Sequence, residues 1–201
     1  MSTFGDLSWL QATVAQAEGA SSDYDLNPDA PALNSRELRP AAVLIGIANK
    51  SGVPCVLLTK RPSTMKHHPG QIAFPGGKQD PLDKDLEQTA LREALEEVGL
   101  KAQDAQLVGA LSPHETVTQF QVHPFVFQLD ADFSPEPDAQ EVAEVFWVPL
   151  AFLSDPANFQ IQSRRWRGVR RYYYAVPFGP YYIWGATARM LYSFAVASVK
   201  L

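Results

Sequence analysis

The chain has 201 residues, 46% of them hydrophobic and 19% charged, a balance that suits one globular domain with a sizeable core and excludes a disordered chain. Its formal net charge of −5 argues against a general nucleic-acid binder, because phosphate backbones select basic surfaces. A small anionic substrate stays within reach, since a metal ion or a local basic cluster outweighs the global sign. The single cysteine, Cys55, excludes an intramolecular disulfide and a cysteine zinc cluster; inside the apolar run Val53–Leu58 it reads as a buried, inert thiol. With no Lys or Arg before Arg36 and no uncharged apolar stretch of membrane-spanning length, the expectation is a cytoplasmic protein with neither a membrane nor a nucleic-acid partner.

In chain order, Leu7, Leu10, Val14 and Ala17 recur at helical spacing after Asp6 and predict a short amphipathic helix. Gly19 to Pro40 is rich in Ser, Asp, Asn and Pro and reads as an extended loop. The apolar runs Ala41–Ala48 and Val53–Thr59, joined by Asn49-Lys50-Ser51-Gly52, predict a β-hairpin. A loop over His67–Gly77 and a helix over Asp85–Gly99 follow. Further strands are predicted over Gln106–Leu111, Val122–Leu129, Val142–Val148 and Tyr172–Val176. A last helix after Gly185 carries Met190, Leu191, Phe194 and Ala197 inward. Strands mixed with a few helices, without strict βαβ alternation, favour an α+β fold, an α/β/α sandwich with a mixed sheet between helices. Residues 1–38 are expected to pack as helix and loop on a single domain of residues 39–201; a homodimer is compatible with all of this.

The most informative segment is the helix. Asp85 is a candidate N-cap with Gln88 three residues on, and Gly99 is suited to stop the helix in the left-handed conformation. At about 100° per residue, Ala90, Leu91, Ala94, Leu95 and Val98 share one face. Glu93, Glu96 and Glu97 share the other, at i,i+3 and i,i+4 spacing. Like charges so placed cost roughly 0.2–0.5 kcal/mol per pair, and they lie at the helix end where the macrodipole disfavours anions. A divalent cation reverses both penalties, and three hard oxygen donors suit Mg2+ or Mn2+. A solvated acidic face explains the helix alone equally well. The preceding Phe74-Pro75-Gly76-Gly77 shifts the balance, because paired glycines allow close approach of the backbone to a ligand.

Glycine followed at fixed distance by Arg92-Glu93-Ala94-Leu95-Glu96-Glu97-Val98-Gly99 resembles the signature of the Nudix hydrolase family. The resemblance implies that Glu93 and Glu97 are metal ligands, that Glu96 is a further ligand or orients water, and that Arg92 orients the glutamates. The signature's earlier glutamate is replaced by Lys84, leaving Asp83 or Asp80 as its substitute. A narrower likeness is to the coenzyme A pyrophosphatase branch. It is carried by Leu57-Leu58-Thr59-Lys60-Arg61, Lys66-His67-His68-Pro69-Gly70-Gln71 and Phe74-Pro75-Gly76-Gly77, with Lys66 and Pro62 as departures. Trp166-Arg167-Gly168-Val169 and Ile183–Ala188 are also similar to that branch.

That likeness implies a Mg2+- or Mn2+-dependent cleavage of coenzyme A to 3′,5′-ADP and 4′-phosphopantetheine. Arg61, Lys66, Gln71, Gly76 and Gly77 would meet the substrate. Glu96, or Glu141 or Glu144 downstream, would supply the general base. The run Arg164, Arg165, Arg167, Arg170, Arg171 can reach a 3′-phosphate, or be a solvated strand. The tyrosines and Trp184 nearby can stack a base, or simply pack the core. Another nucleoside diphosphate derivative (NADH, ADP-ribose, a dinucleoside polyphosphate or a nucleoside triphosphate) is the first alternative. A non-catalytic nucleotide-binding module of the same fold is the second.

Overall fold

Asp6 opens the first helix by accepting the Trp9 backbone N–H at 2.8 Å, which satisfies one of the orphan amide donors of α1 (Leu7–Gln16). The structure, a computed structural model, describes residues 5–17, 19–28, 37–65, 68–166 and 168–201. Lys66, His67 and Arg167 lie outside the described residues. The elements after α1 are β1 (Ser21–Ser22), β2 (Arg39–Lys50), β3 (Val53–Lys60), β4 (Ile72–Ala73), β5 (Gly76–Lys78) and α2 (Leu86–Val98). They continue with β6 (Ala105–Ala110), β7 (His114–Glu115), β8 (Phe120–Leu129), β9 (Glu144–Pro149) and α3 (Leu150–Leu153). β10 (Gln160–Trp166), β11 (Val169–Phe178), β12 (Tyr181–Trp184) and α4 (Ala186–Ser198) complete the chain.

Strand β2 is the centre of a mixed sheet. It pairs in parallel with β8 and antiparallel with β3, while β5 joins it antiparallel at Ala41–Val43. The β2–β3 turn is made by Ser51 and Gly52, both at positive φ as a two-residue hairpin turn requires. Ala42, Leu44 and Ala48 point to one side and pack with Ala90, Ala94 and Val98 of α2. Ala41, Ile45 and Ile47 point to the other, into a core completed by Leu10 of α1, Leu150 of α3 and Met190, Leu191 and Phe194 of α4. Burial on both faces explains why β2 is a continuous apolar run rather than an alternating one. The result is the expected mixed sheet between helices. Cys55 is a buried free thiol, and no helix among the described residues is long and apolar enough to cross a membrane.

Several boundaries differ from expectation. The His67–Gly77 loop contains β4 and opens β5; strands of two and three residues are too short to leave a periodic signal. The strand predicted from Val142 starts at Glu144, because the Val142 amide closes a turn onto the Asp138 carbonyl at 2.8 Å. The strand predicted over Tyr172–Val176 is longer, and with β10 and β12 it forms a separate three-stranded antiparallel sheet. Val176 and Ile183 of that sheet are fully buried in the α4-side core, and Tyr174 stacks on Tyr192 of α4. Its opposite face carries Arg164, Arg171, Tyr173 and Trp184.

Candidate active site

Helix α2 has the predicted ends. Asp85 accepts the Gln88 N–H at 2.8 Å, the Gln88 side chain accepts the Lys84 N–H at 2.8 Å, and Gly99 adopts φ 71° while its amide reaches the carbonyls of Ala94 and Leu95. The faces are rotated from expectation. Leu95 is 50% exposed, whereas Glu97 is 3% exposed. The buried arc runs through Ala90, Ala94, Val98 and Glu97, because α2 packs against β5 as well as β2 and so turns its glutamate side toward the glycine strand. Glu96 is left on the exposed side.

Two glycines permit that approach. A Cβ on Gly76, whose φ is +154°, would lie 2.7 Å from the Val43 Cα, and one on Gly77 would lie 2.5 Å from the Glu93 carboxylate. No side chain larger than hydrogen fits between α2 and β2 at this level. The Gly76 backbone favours the charged form of the Glu97 carboxylate.

Burial is the main cause of the electrostatic state of Glu97. It raises the carboxyl to about 8; Glu93 and Glu141 add to the rise, while Arg61 and the Gly76 backbone oppose it. Glu93 is raised as well, first by burial and then by Glu96 and Glu141, against Arg92. Arg92 ties the helix to the preceding loop. Its Nε and Nη2 donate to the two oxygens of Asp83 at 3.0 and 3.1 Å, its Nη2 lies 3.0 Å from Glu93, and its Nη1 donates to Glu96 at 3.0 Å. The Asp83 side chain is 4% exposed and also accepts the Thr89 hydroxyl and the Asp80 N–H, each at 2.9 Å. The Arg92 hydrogen bonds hold it at about 2 despite its burial. Of the two candidates for the missing glutamate, Asp83 therefore anchors Arg92, while Asp80 is exposed and accepts the Leu82 N–H.

The structure separates the two downstream glutamates. Glu141, in the turn before β9, shares the electrostatic neighbourhood of Glu93 and Glu97. Glu144 instead accepts the Tyr181 hydroxyl at 2.5 Å and lies 4.0 Å from the Lys60 ammonium. Arg61, one residue past β3, is bound through its backbone N–H to the Gln71 carbonyl at 3.0 Å, and its Nε is buried without a hydrogen-bond partner. Among the described residues no three His, Cys, Asp or Glu side chains are gathered in an arrangement that could hold a metal ion. Glu93 and Glu96 are each held on one oxygen by Arg92 instead. The donor set nonetheless fits Mg2+ or Mn2+: hard oxygens, a buried carboxyl repelled by its neighbours, and a side-chain-free strand beside it.

Beyond Gln71 opens a cavity of about 300 Å³, lined by His68, Gln71, Arg164, Arg171, Tyr173 and Trp184 among others. The sequence marked the basic run and the aromatics, but not their convergence. That depends on β10 and β12 pairing with β11; a strand was only one of two readings of the arginine run, and β12 was not expected.

Comparisons with known proteins identify the family. The NUDIX domain profile matches residues 37–169. A Nudix hydrolase from Photorhabdus laumondii, named NudL and described as uncharacterized, is 38% identical over 168 residues, covering 84% of this chain and 89% of its own. The mouse peroxisomal coenzyme A diphosphatase NUDT7 is 42% identical over 115 residues, covering 57% of this chain and 49% of its own. A solved MutT/Nudix family structure from Enterococcus faecalis superposes with a TM-score of 0.51 at 13% identity, covering 85% of this chain and 65% of its own, and supports the fold alone. With the matched profile spanning the glycine strand, the Arg92 clamp and the buried glutamate, the chain belongs to the Nudix hydrolases, pyrophosphohydrolases that generally work with divalent metals.

Proposed function

We propose that this enzyme hydrolyses the pyrophosphate of coenzyme A or its derivatives, giving 3′,5′-ADP and 4′-phosphopantetheine. The observation that carries the hydrolytic reading is the buried Glu97 carboxyl facing Glu93, Glu141 and the side-chain-free Gly76–Gly77 strand. The substrate reading is supported by the branch-like Leu57–Gly77 segment, in which Arg61 acts electrostatically on Glu97 and is held through its backbone N–H by the Gln71 carbonyl. The 42% identity to a protein named as a coenzyme A diphosphatase points the same way.

Glu93 and Glu97 would hold Mg2+ or Mn2+, with Glu96 as a further donor. The bound cation supplies charge neutralisation at the phosphate oxygens and a lowered pKa for water. The remaining work falls to the chain. Arg92, fixed by Asp83, keeps Glu93 and Glu96 in place. The Arg61 guanidinium, whose charge already acts on Glu97, would meet a phosphate oxygen. Glu141 or Glu96 takes the proton of the attacking water as its oxygen joins one phosphoryl group and the bridging P–O bond breaks. The departing phosphate leaves as a monoester.

Product analysis with Mg2+ or Mn2+ tests this reading, using coenzyme A, NADH, ADP-ribose and diadenosine polyphosphates as competing substrates. The expected result is 3′,5′-ADP from coenzyme A at the highest kcat/KM. Faster turnover of any of the others removes the substrate assignment. No turnover of any of them removes the hydrolytic one.

A further inference from the structure

We infer that the cavity between the β10–β12 sheet and the Gln71 loop is an anion-reading subsite that recognises a phosphomonoester on the ribose of the substrate's nucleotide half. This rests on the coenzyme A reading above and specifies which part of that molecule the cavity selects.

Three observations carry it. Arg164 and Arg171 are directly opposed partners in the β10–β11 ladder, and both line the cavity. Two guanidinium groups on one face of a strand pair make that face positive, and an anion on it is attracted by both. The next pair, Arg165 and Arg170, follows strand alternation to the other face and does not line the cavity. Of the two opposed arginine pairs, only Arg164 and Arg171 therefore present their charge to the cavity.

The arginine is also pre-positioned. The Arg164 guanidinium lies over the Trp184 ring at 4.3 Å, and Tyr173 meets Trp184 edge-on with centroids 5.2 Å apart. The same wall thus offers a held cation beside aromatic surface, which suits a phosphorylated nucleoside better than an uncharged chain. The carboxylate in the lining, Asp23, is already committed. It accepts the Val117 N–H at 2.9 Å and is in hydrogen-bond contact with the buried His114 at 3.2 Å. Asn27 fixes the N-terminal segment to the sheet by accepting the Tyr172 N–H at 2.8 Å and donating to the Tyr172 carbonyl at 2.9 Å.

Position completes the argument. Gln71 lines the cavity and its carbonyl holds the Arg61 backbone, while Arg61 acts electrostatically on Glu97. The cavity thus begins one loop away from the carboxylates. A pyrophosphate at the carboxylates places one of the two attached halves in it.

Calorimetric titration of metal-free protein with 3′,5′-ADP and with 5′-ADP tests the inference without relying on turnover. The wild type is expected to bind 3′,5′-ADP about tenfold more tightly, the scale of one or two charge-assisted hydrogen bonds. R164A should bring the two affinities to within about threefold, R164K should retain part of the preference, and R165A should retain all of it. Equal affinities in the wild type, or an unchanged preference in R164A, would overturn the subsite. A preserved 3′-phosphate preference in an enzyme that fails to cleave coenzyme A supports the subsite while refuting the substrate reading. Cleavage of coenzyme A with no such preference does the reverse.

Discussion

Asp83 and Glu97 bracket the same helix and are both removed from water, yet their carboxyl groups are driven in opposite directions. Asp83 sits before α2 with a two-point guanidinium contact, a hydroxyl and an amide, and is held at about 2. Glu97 sits near the end of α2 beside the Gly76 backbone and two carboxylate neighbours, and is raised to about 8. Burial opposes ionisation in both; what differs is whether the fold itself provides the compensating charge. At Asp83 it does, so the residue is part of the frame. At Glu97 only Arg61 and the Gly76 backbone oppose the rise, and a cation bound as proposed would supply the rest of the positive charge.

Replacing Glu97 should have the largest effect. E97Q is expected to lower kcat by more than the roughly 10–100-fold typical of losing an outer-shell partner to a metal ligand, measured at saturating Mn2+. Metal-free E97Q should also melt higher than metal-free wild type at pH above 8. Glu97's folded-state value lies above its ordinary one, so wild type loses stability as pH rises through about 8, and a neutral amide does not.

G77A should follow, with about a 10²-fold loss of kcat, because the added methyl displaces the Glu93 carboxylate from the glycine strand. D83N should cost less in rate, about tenfold through a misplaced Arg92. It should also destabilise the protein at neutral pH. Because Asp83 is depressed below its ordinary value of 3.8, its contribution is present above that pH and disappears as pH falls through about 2. Thermal melts of D83N and wild type should therefore converge in acid. The downstream glutamates should separate: E141Q should lower kcat about 10²-fold, and E144Q, the smallest effect, should stay near wild type because Glu144 faces Tyr181 and Lys60.

Local chemistry was legible in the chain. The capping residues of α2, the β2–β3 hairpin and the inward residues of α4 each follow from neighbours a few positions apart. The Arg92–Glu97 pattern pointed to the candidate site for the same reason. Burial of Glu97 in place of Leu95 was not legible, since a helical wheel assigns the apolar stripe inward and knows nothing of a side-chain-free strand at its edge. The anchoring of Arg92 by Asp83, and not by Asp80, depends on how the loop before α2 turns. Strand β12 was missed and β10 left as one of two readings because one face of their sheet is open, so Arg and Tyr occupy positions where alternation alone gives little contrast.

The most direct test is the proton balance of Mn2+ binding, from calorimetric titrations in buffers of different ionisation enthalpy. With Glu97 protonated until about pH 8, the wild type should release about one proton per ion at pH 7, less at pH 9, and E97Q should release none. Proton-neutral binding at pH 7, or release unchanged by E97Q, would contradict the assignment of Glu97 as the buried carboxyl that the cation completes.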